Sequence, residues 1–207
     1  MKTAAIIAAR MNSKRFPGKV MADLCGKPVL QHVIERCRRS GVDDVIVATL
    51  DDCHEISDLC TKQGCTKHIV RRSEQWNVLG RIRSAAQTNS VGVVVRVNGD
   101  SPLVQAEWID KLLVNQGHEY THYVLPDGRP AVMTHIGLPE MVTTQCLEMM
   151  QDYIGDVSEH VTWHCHQQWK PSVLALPYTG PVEHNTIDTQ EDLLRVKALC
   201  SCKSAIG

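Results

Sequence analysis

Four short, largely β-branched runs constrain this chain more than any other feature: residues 6–9, 45–48, 68–70 and 93–97. Each is too short for a helix and ends in polar or turn-forming residues, which is the signature of a buried strand. Between them lie segments with helical period. Residues 28–39 carry apolar side chains at 29, 30, 33, 34 and 37, with Pro28 suited to a first turn and Gly41 just beyond the end. Residues 52–63, closed by Gly64, and a segment ending near Thr88 read as two more helices. Strand and helix in alternation predict βαβ units and a mostly parallel, Rossmann-like sheet flanked by helices.

The remainder is read the same way. Residues 120–124 and 172–177 are expected strands, 139–153 and 156–169 expected helices, and Pro102 an expected helix start. A length of 207 residues allows one substantial core and a single domain over 1–207. With one Phe in the chain, that core must rest on aliphatic side chains.

The first strand runs into Arg10-Met11-Asn12-Ser13-Lys14-Arg15-Phe16-Pro17-Gly18-Lys19. Four cations in one loop at a strand's carboxyl end suit a polyanion such as a nucleoside triphosphate, with Arg as a fork and Lys as a point charge. Pro17-Gly18 would fold the backbone over the phosphates. A solvated basic loop is the competing reading. Through residue 40 there are nine basic residues against two acidic ones, so an anionic ligand belongs near this end. The whole chain carries −1, which argues against a general nucleic-acid binder. No apolar run approaches the ~20 residues of a membrane span, and the first run does not resemble a signal peptide. Nine cysteines, none in C-x-x-C, read as reduced thiols of a cytoplasmic protein; neither Cys53, His54, Cys60, Cys65 and His68 nor His164-Cys165-His166 follows a structural zinc spacing.

The loop's spacing, Ala9-Arg10-x-x-Ser13-x-Arg15-x-Pro17-Gly18-Lys19, resembles the signature of the sugar-activating cytidylyltransferases. That family includes the acylneuraminate and KDO cytidylyltransferases and the similar spore-coat polysaccharide biosynthesis proteins. Two further motifs carry the resemblance. Asn98-Gly99-Asp100-Ser101-Pro102-Leu103 follows the strongest strand, and Thr186-Ile187-Asp188-Thr189-Gln190-Glu191-Asp192 precedes the last helix. Read locally, Asp100 is a helix cap, and Asp188 with Glu191, or Thr189 with Asp192, makes a capping box.

The resemblance implies a fold of nucleotide-diphospho-sugar transferase type. It implies nucleotide binding by Ala8, Ala9, Arg10, Ser13, Arg15, Lys19, Ser73 and Asp100, with catalysis resting on Arg10, Arg15, Lys19 and Asp100. Mg²⁺ would be held by Asp100 and Asp188, since it favours one or two carboxylates plus phosphate oxygens. CTP is the expected donor, and a small anionic, sugar-like molecule the acceptor. Asp127 and His160, the latter in Glu159-His160-Val161-Thr162, fall in a stretch of about 120–180 that serves the acceptor and a homodimer contact in relatives; alone, a helical His is more often surface or core.

The chain also departs from the pattern. Asn12, Lys14 and Phe16 stand where relatives more often have Gly, Thr and Leu, and Ser101 replaces a Cys. Arg72, Gln75 and Trp76 alter the loop after the third strand, and Arg129-Pro130 follows Pro126-Asp127-Gly128 where relatives have an acidic pair. The expected reaction is Mg²⁺-dependent transfer of CMP to an acidic sugar or related acceptor. The alternatives are another base or acceptor on the same fold, or an inactive nucleotide-binding homologue.

Overall fold

The computed structural model describes residues 1–74, 77–150 and 172–204. Its strands, in chain order, are β1 (Thr3–Ala8), a small hairpin of β2 (Asp23–Leu24) and β3 (Lys27–Pro28), β4 (Asp44–Leu50), β5 (Thr66–Val70), β6 (Val93–Asn98), β7 (Tyr120–Val124), β8 (Glu140–Thr143) and β9 (Val173–Pro177). The helices are α1 (Val29–Cys37), α2 (His54–Gln63), α3 (Val78–Thr88), α4 (Ala106–Leu113), α5 (Thr144–Met149) and α6 (Gln190–Ser204). Seven strands form one sheet in the order β5-β4-β1-β6-β8-β7-β9, parallel throughout except for β8, which runs antiparallel to both neighbours.

β1 lies at the centre and is covered on both faces, which is why its sequence is unbroken rather than alternating. Ala5 and Ile7 point into one core with side chains of α1, α2 and α4, while Ala4 and Ile6 point into the other with α3 and α5. From β1 the chain moves outward through β4 to β5, then returns to place β6 on the other side of β1. The loops after β1 and β6 therefore leave in opposite directions and open a crevice at their carboxyl ends, the usual ligand position in such sheets.

Two expectations give way to the structure. Residues 139–153 do not form one helix: Glu140–Thr143 is a strand, and only Thr144–Met149 is helical within the described part. Met141 and Val142 are wholly buried, one in each core. A short apolar run buried on both sides has no periodicity to separate strand from helix. Thr143 then ends the strand and caps the helix, its Oγ1 accepting from Cys146 N at 3.1 Å. Similarly, Pro102 does not start a helix. Residues 101–105 make a turn, Val104 N donating to Ser101 O at 3.1 Å, and α4 begins at Ala106. The expected helix over 156–169 lies outside the described residues. Cys37, Cys53, Cys60 and Cys146 are buried free thiols, Cys65 is half-buried and Cys25 exposed; burial pushes the Cys37 thiol up to about 12, as befits an inert packing residue.

Candidate active site

The crevice is closed at its base by an intimate meeting of strand ends. Gly99 N donates to Ala8 O at 3.0 Å, and a Cβ at Gly99 would sit 3.0 Å from both Ala8 O and Ala9 Cβ. A larger residue would have to push Ala8 and Ala9 back by a few tenths of an ångström, so glycine is what lets the loop after β6 lie this close without displacing the start of the cationic loop. That loop then doubles back. Gly18 N donates to Met11 O at 2.7 Å, and Lys19 N to Phe16 O at 3.2 Å. Gly18 has φ 73° and ψ 8°, the third-residue geometry of a type II turn with Pro17 before it. Asn12 does not have a positive φ, so replacing the glycine of relatives introduces no left-handed strain there.

The hairpin and α6 hold the returning arm. Leu24, Val29, Ile187, Leu193 and Val196 form a third small core, with Phe16 and Ala22 packed against it. This cluster fixes the Lys19 end of the loop against the segment that carries Asp188. Lys19 Nζ lies between two carboxylates, 2.5 Å from Asp100 Oδ2 and 2.9 Å from Asp188 Oδ1. Arg15 reaches the same Asp188 oxygen at 2.8 Å, and His135 Nδ1 lies 3.3 Å from Asp188 Oδ2. Main chain also ties the two acids together, Ile187 N donating to Asp100 O at 2.9 Å.

Electrostatics follow from this crowding. Burial works against the Lys19 ammonium, but attraction and hydrogen bonds from Asp100 and Asp188 outweigh it and raise its pKa above the ordinary lysine value. Burial likewise opposes ionisation of Asp188, yet Lys19, Arg15 and His135 together bring its pKa below the usual carboxylate value. Of the two capping-box alternatives, Thr189 with Asp192 is the one that forms. Thr189 N donates to Asp192 Oδ2 at 2.9 Å, and Asp192 N to Thr189 Oγ1 at 3.2 Å. Asp188 is left to face the crevice, with its own N–H donating to Asp192 Oδ2 at 3.1 Å.

The crevice is a cavity of about 530 Å³, well within the range of small-molecule sites. Ala8, Arg10, Ser13, Arg15, Lys19, Asp100 and Asp188 all line it, so the residues expected from three distant motifs converge. Ala9 is buried behind the loop. Ser73 is exposed in a 3-10 turn over Arg72–Glu74, and Asp127 is exposed in its turn, where it accepts from Arg129 Nε at 2.7 Å; neither is among the lining residues. His160 lies outside the described residues.

Sequence reading missed Arg96, Asn98, Thr134 and His135, which also line the cavity. Arg96 donates to Glu140 Oε1 at 2.5 Å and to Asn98 Oδ1 at 3.1 Å, while Tyr120 Oη donates to Glu140 Oε2 at 2.8 Å. A charged residue inside the run Val93-Val94-Val95-Arg96-Val97 was the available signal. Its buried acid could not be seen, because Glu140 comes from a strand read as helix.

A family profile described as cytidylyltransferase matches residues 4–203. The spore coat polysaccharide biosynthesis protein SpsF of Bacillus subtilis is 31% identical over 213 residues, covering 94% of this chain and 84% of that protein. The 3-deoxy-manno-octulosonate cytidylyltransferase of Pelobacter propionicus is 39% identical over 114 residues, but this match spans 55% of the chain and 44% of that enzyme. Among solved structures, a cytidylyltransferase from Leptospira borgpetersenii superposes with a TM-score of 0.84 at 24% identity, covering 98% of this chain and 87% of that one. A CMP:2-keto-3-deoxy-manno-octonic acid synthetase complexed with CTP superposes with a TM-score of 0.78 at 20% identity, covering 98% and 100% of the two chains. The expected fold type is thus found in these neighbours, and the chain belongs to the cytidylyltransferase family of nucleotidyl-transferring enzymes.

Proposed function

We propose that this chain transfers CMP from CTP to a hydroxyl of an acidic sugar or related small anionic acceptor, releasing pyrophosphate. The observation that carries this reading is the position of Lys19 Nζ between Asp100 and Asp188 at the carboxyl ends of β1 and β6. One cation already bridges two carboxylates from separate motifs, and the donors are hard oxygens of the kind Mg²⁺ prefers. Asp100 and Asp188 are therefore the residues to hold it. The chemistry Mg²⁺ supplies when bound there is neutralisation of phosphate charge and activation of the attacking hydroxyl.

The protein's own residues do the rest by alignment and charge. Arg10, Arg15 and Lys19 line one wall of the cavity and are placed to hold the triphosphate and the departing pyrophosphate. Ser13 offers a hydroxyl in the same loop. The acceptor oxygen forms its bond to the α-phosphorus as the bond between that phosphorus and the oxygen bridging to the β-phosphate breaks; the hydroxyl proton passes to solvent water and pyrophosphate leaves. Arg96, which lines the cavity and is oriented by Glu140, is proposed to present its guanidinium to an anionic group of either substrate. Ser73, Asp127 and His160 stay as proposed nucleotide and acceptor contacts, and a homodimer as the proposed assembly. No helix among the described residues is long and apolar enough to cross a membrane; a cytoplasmic site of action is part of the proposal.

Pyrophosphate release measured with each of four nucleoside triphosphates, Mg²⁺ and a panel of sugar acids tests the reading. CTP is expected to be used in preference. Asp100→Asn is expected to lower turnover by roughly 10²–10³-fold while CTP binding is partly retained in calorimetry. Unchanged turnover in that variant would remove the metal role. CTP binding without turnover on any acceptor would leave a nucleotide-binding homologue.

A further inference from the structure

His135 and His184 have no part in the nucleotide reading, yet the fold brings both to Asp188. The three side chains offer ligand atoms that all lie within 4.8 Å of one another, with the histidines exposed. The two imidazoles stack with centroids 4.6 Å apart and planes 25° from parallel, so that joint ligation requires one exposed ring to turn about its side-chain torsions. His135 Nδ1 and Asp188 Oδ2 are 3.3 Å apart, which is roughly the ligand–ligand edge of a tetrahedron with zinc bonds of about 2.0–2.1 Å. Main chain holds the two histidine loops together, since His135 O accepts from Asn185 N at 2.8 Å and from Thr186 N at 3.1 Å. The imidazole carriers are thus stapled one residue away from His184 on one side and at His135 itself on the other.

Asp188 divides its oxygens between two neighbourhoods. Oδ1 faces Lys19 and Arg15, whereas Oδ2 faces His135. We propose that His135, His184 and Asp188 Oδ2 form a second cation site, selective for a borderline transition-metal ion such as Zn²⁺ or Co²⁺. Two imidazoles and one carboxylate suit such ions, while Mg²⁺ prefers an all-oxygen set. Charge alone does not create the site. Asp192 lies near His184, at 3.7 Å from Nε2, but Arg195 lies on the same Asp192 oxygen at 3.2 Å, and Arg15 and Lys19 flank Asp188. Affinity must come from the nitrogen ligands, which makes the histidines the decisive test. The site shares Asp188 with the proposed Mg²⁺ position but does not depend on CTP chemistry.

Tag-free protein without nucleotide would be titrated with Co²⁺, following visible absorption, and with Zn²⁺ against a chromophoric chelator, both in excess Mg²⁺. One ion per chain with nitrogen ligation is expected. His135→Ala and His184→Ala, exposed positions whose folding is checked by melting temperature, should each weaken it by roughly tenfold or more. Asp100→Asn, which spares all three ligands, should leave Co²⁺ binding within about twofold. Binding unchanged in both histidine variants, binding lost with Asp100 instead, displacement by Mg²⁺, or no binding at all would each overturn the site. Because the readout is metal binding, its failure is separate from any failure of cytidylyl transfer.

Discussion

Lys19 illustrates how much one side chain settles in this crevice. Its ammonium bridges two acids that would otherwise face each other across a partly buried space, with Arg15 supplying a second positive charge to Asp188. Lys19→Met is therefore expected to abolish detectable turnover and also to raise the pKa of Asp188, which titration by NMR would register as a shift toward the ordinary carboxylate value. Arg96 and Glu140 are the second such case. Glu140 is 1% exposed, so neutralising it leaves a guanidinium without its counter-ion inside the protein. Glu140→Gln should cost about 3 kcal/mol in urea unfolding, and the paired change R96M/E140M should cost less than the single one. At this scale Lys19 and Asp100 were legible, because each stands in a motif whose chemistry is local. His135 and His184 were not, since neither has a neighbour in sequence that hints at its partner.

The elements decide where those side chains go. The cap of α6 frees Asp188 by using Thr189 and Asp192 instead, and the sequence left that choice open. Thr189→Ala is expected to cost about 1 kcal/mol in thermal unfolding. It should also lower transfer activity, because Asp192 carries the N–H of Asp188 in the same network. In the cationic loop the demand falls on Gly18: Gly18→Ala places a side chain at φ 73° and should cost about 1–2 kcal/mol, with a raised KM for CTP. The parallel strands were readable because burial on both faces leaves an unbroken β-branched run. β8 was not, because Glu140–Thr143 is too short to show a period and opens with an acid whose partners are supplied by β6 and β7.

For the molecule as a whole, the ion cluster sets an acid limit to stability. Burial opposes ionisation of Asp192, but the N–H groups of Asp188 and Thr189, the Thr189 hydroxyl and Arg195 hold its pKa down at about 2, and Asp188 is lowered as well. Both folded values lie below the unfolded value of about 4. Their contribution is complete above about pH 4 and is lost as pH falls through the folded values. Lys19 works in the other direction, its contribution present below the unfolded lysine pKa and lost as pH rises through the raised folded value. Urea midpoints should therefore fall below about pH 4, and Asp192→Asn should flatten that decline.

The sequence by itself determined the alternating strands and helices, the phosphate-suited loop and the two aspartate motifs, because each depends on residues within a few positions of one another. Only the tertiary structure decided that Lys19 would bridge Asp100 and Asp188, that Arg96 would be held by a buried glutamate, and that two histidines distant in sequence would stack beside Asp188. Those pairings follow from how strands order themselves in the sheet and how the hairpin packs on α6, which are properties of burial summed over the whole chain.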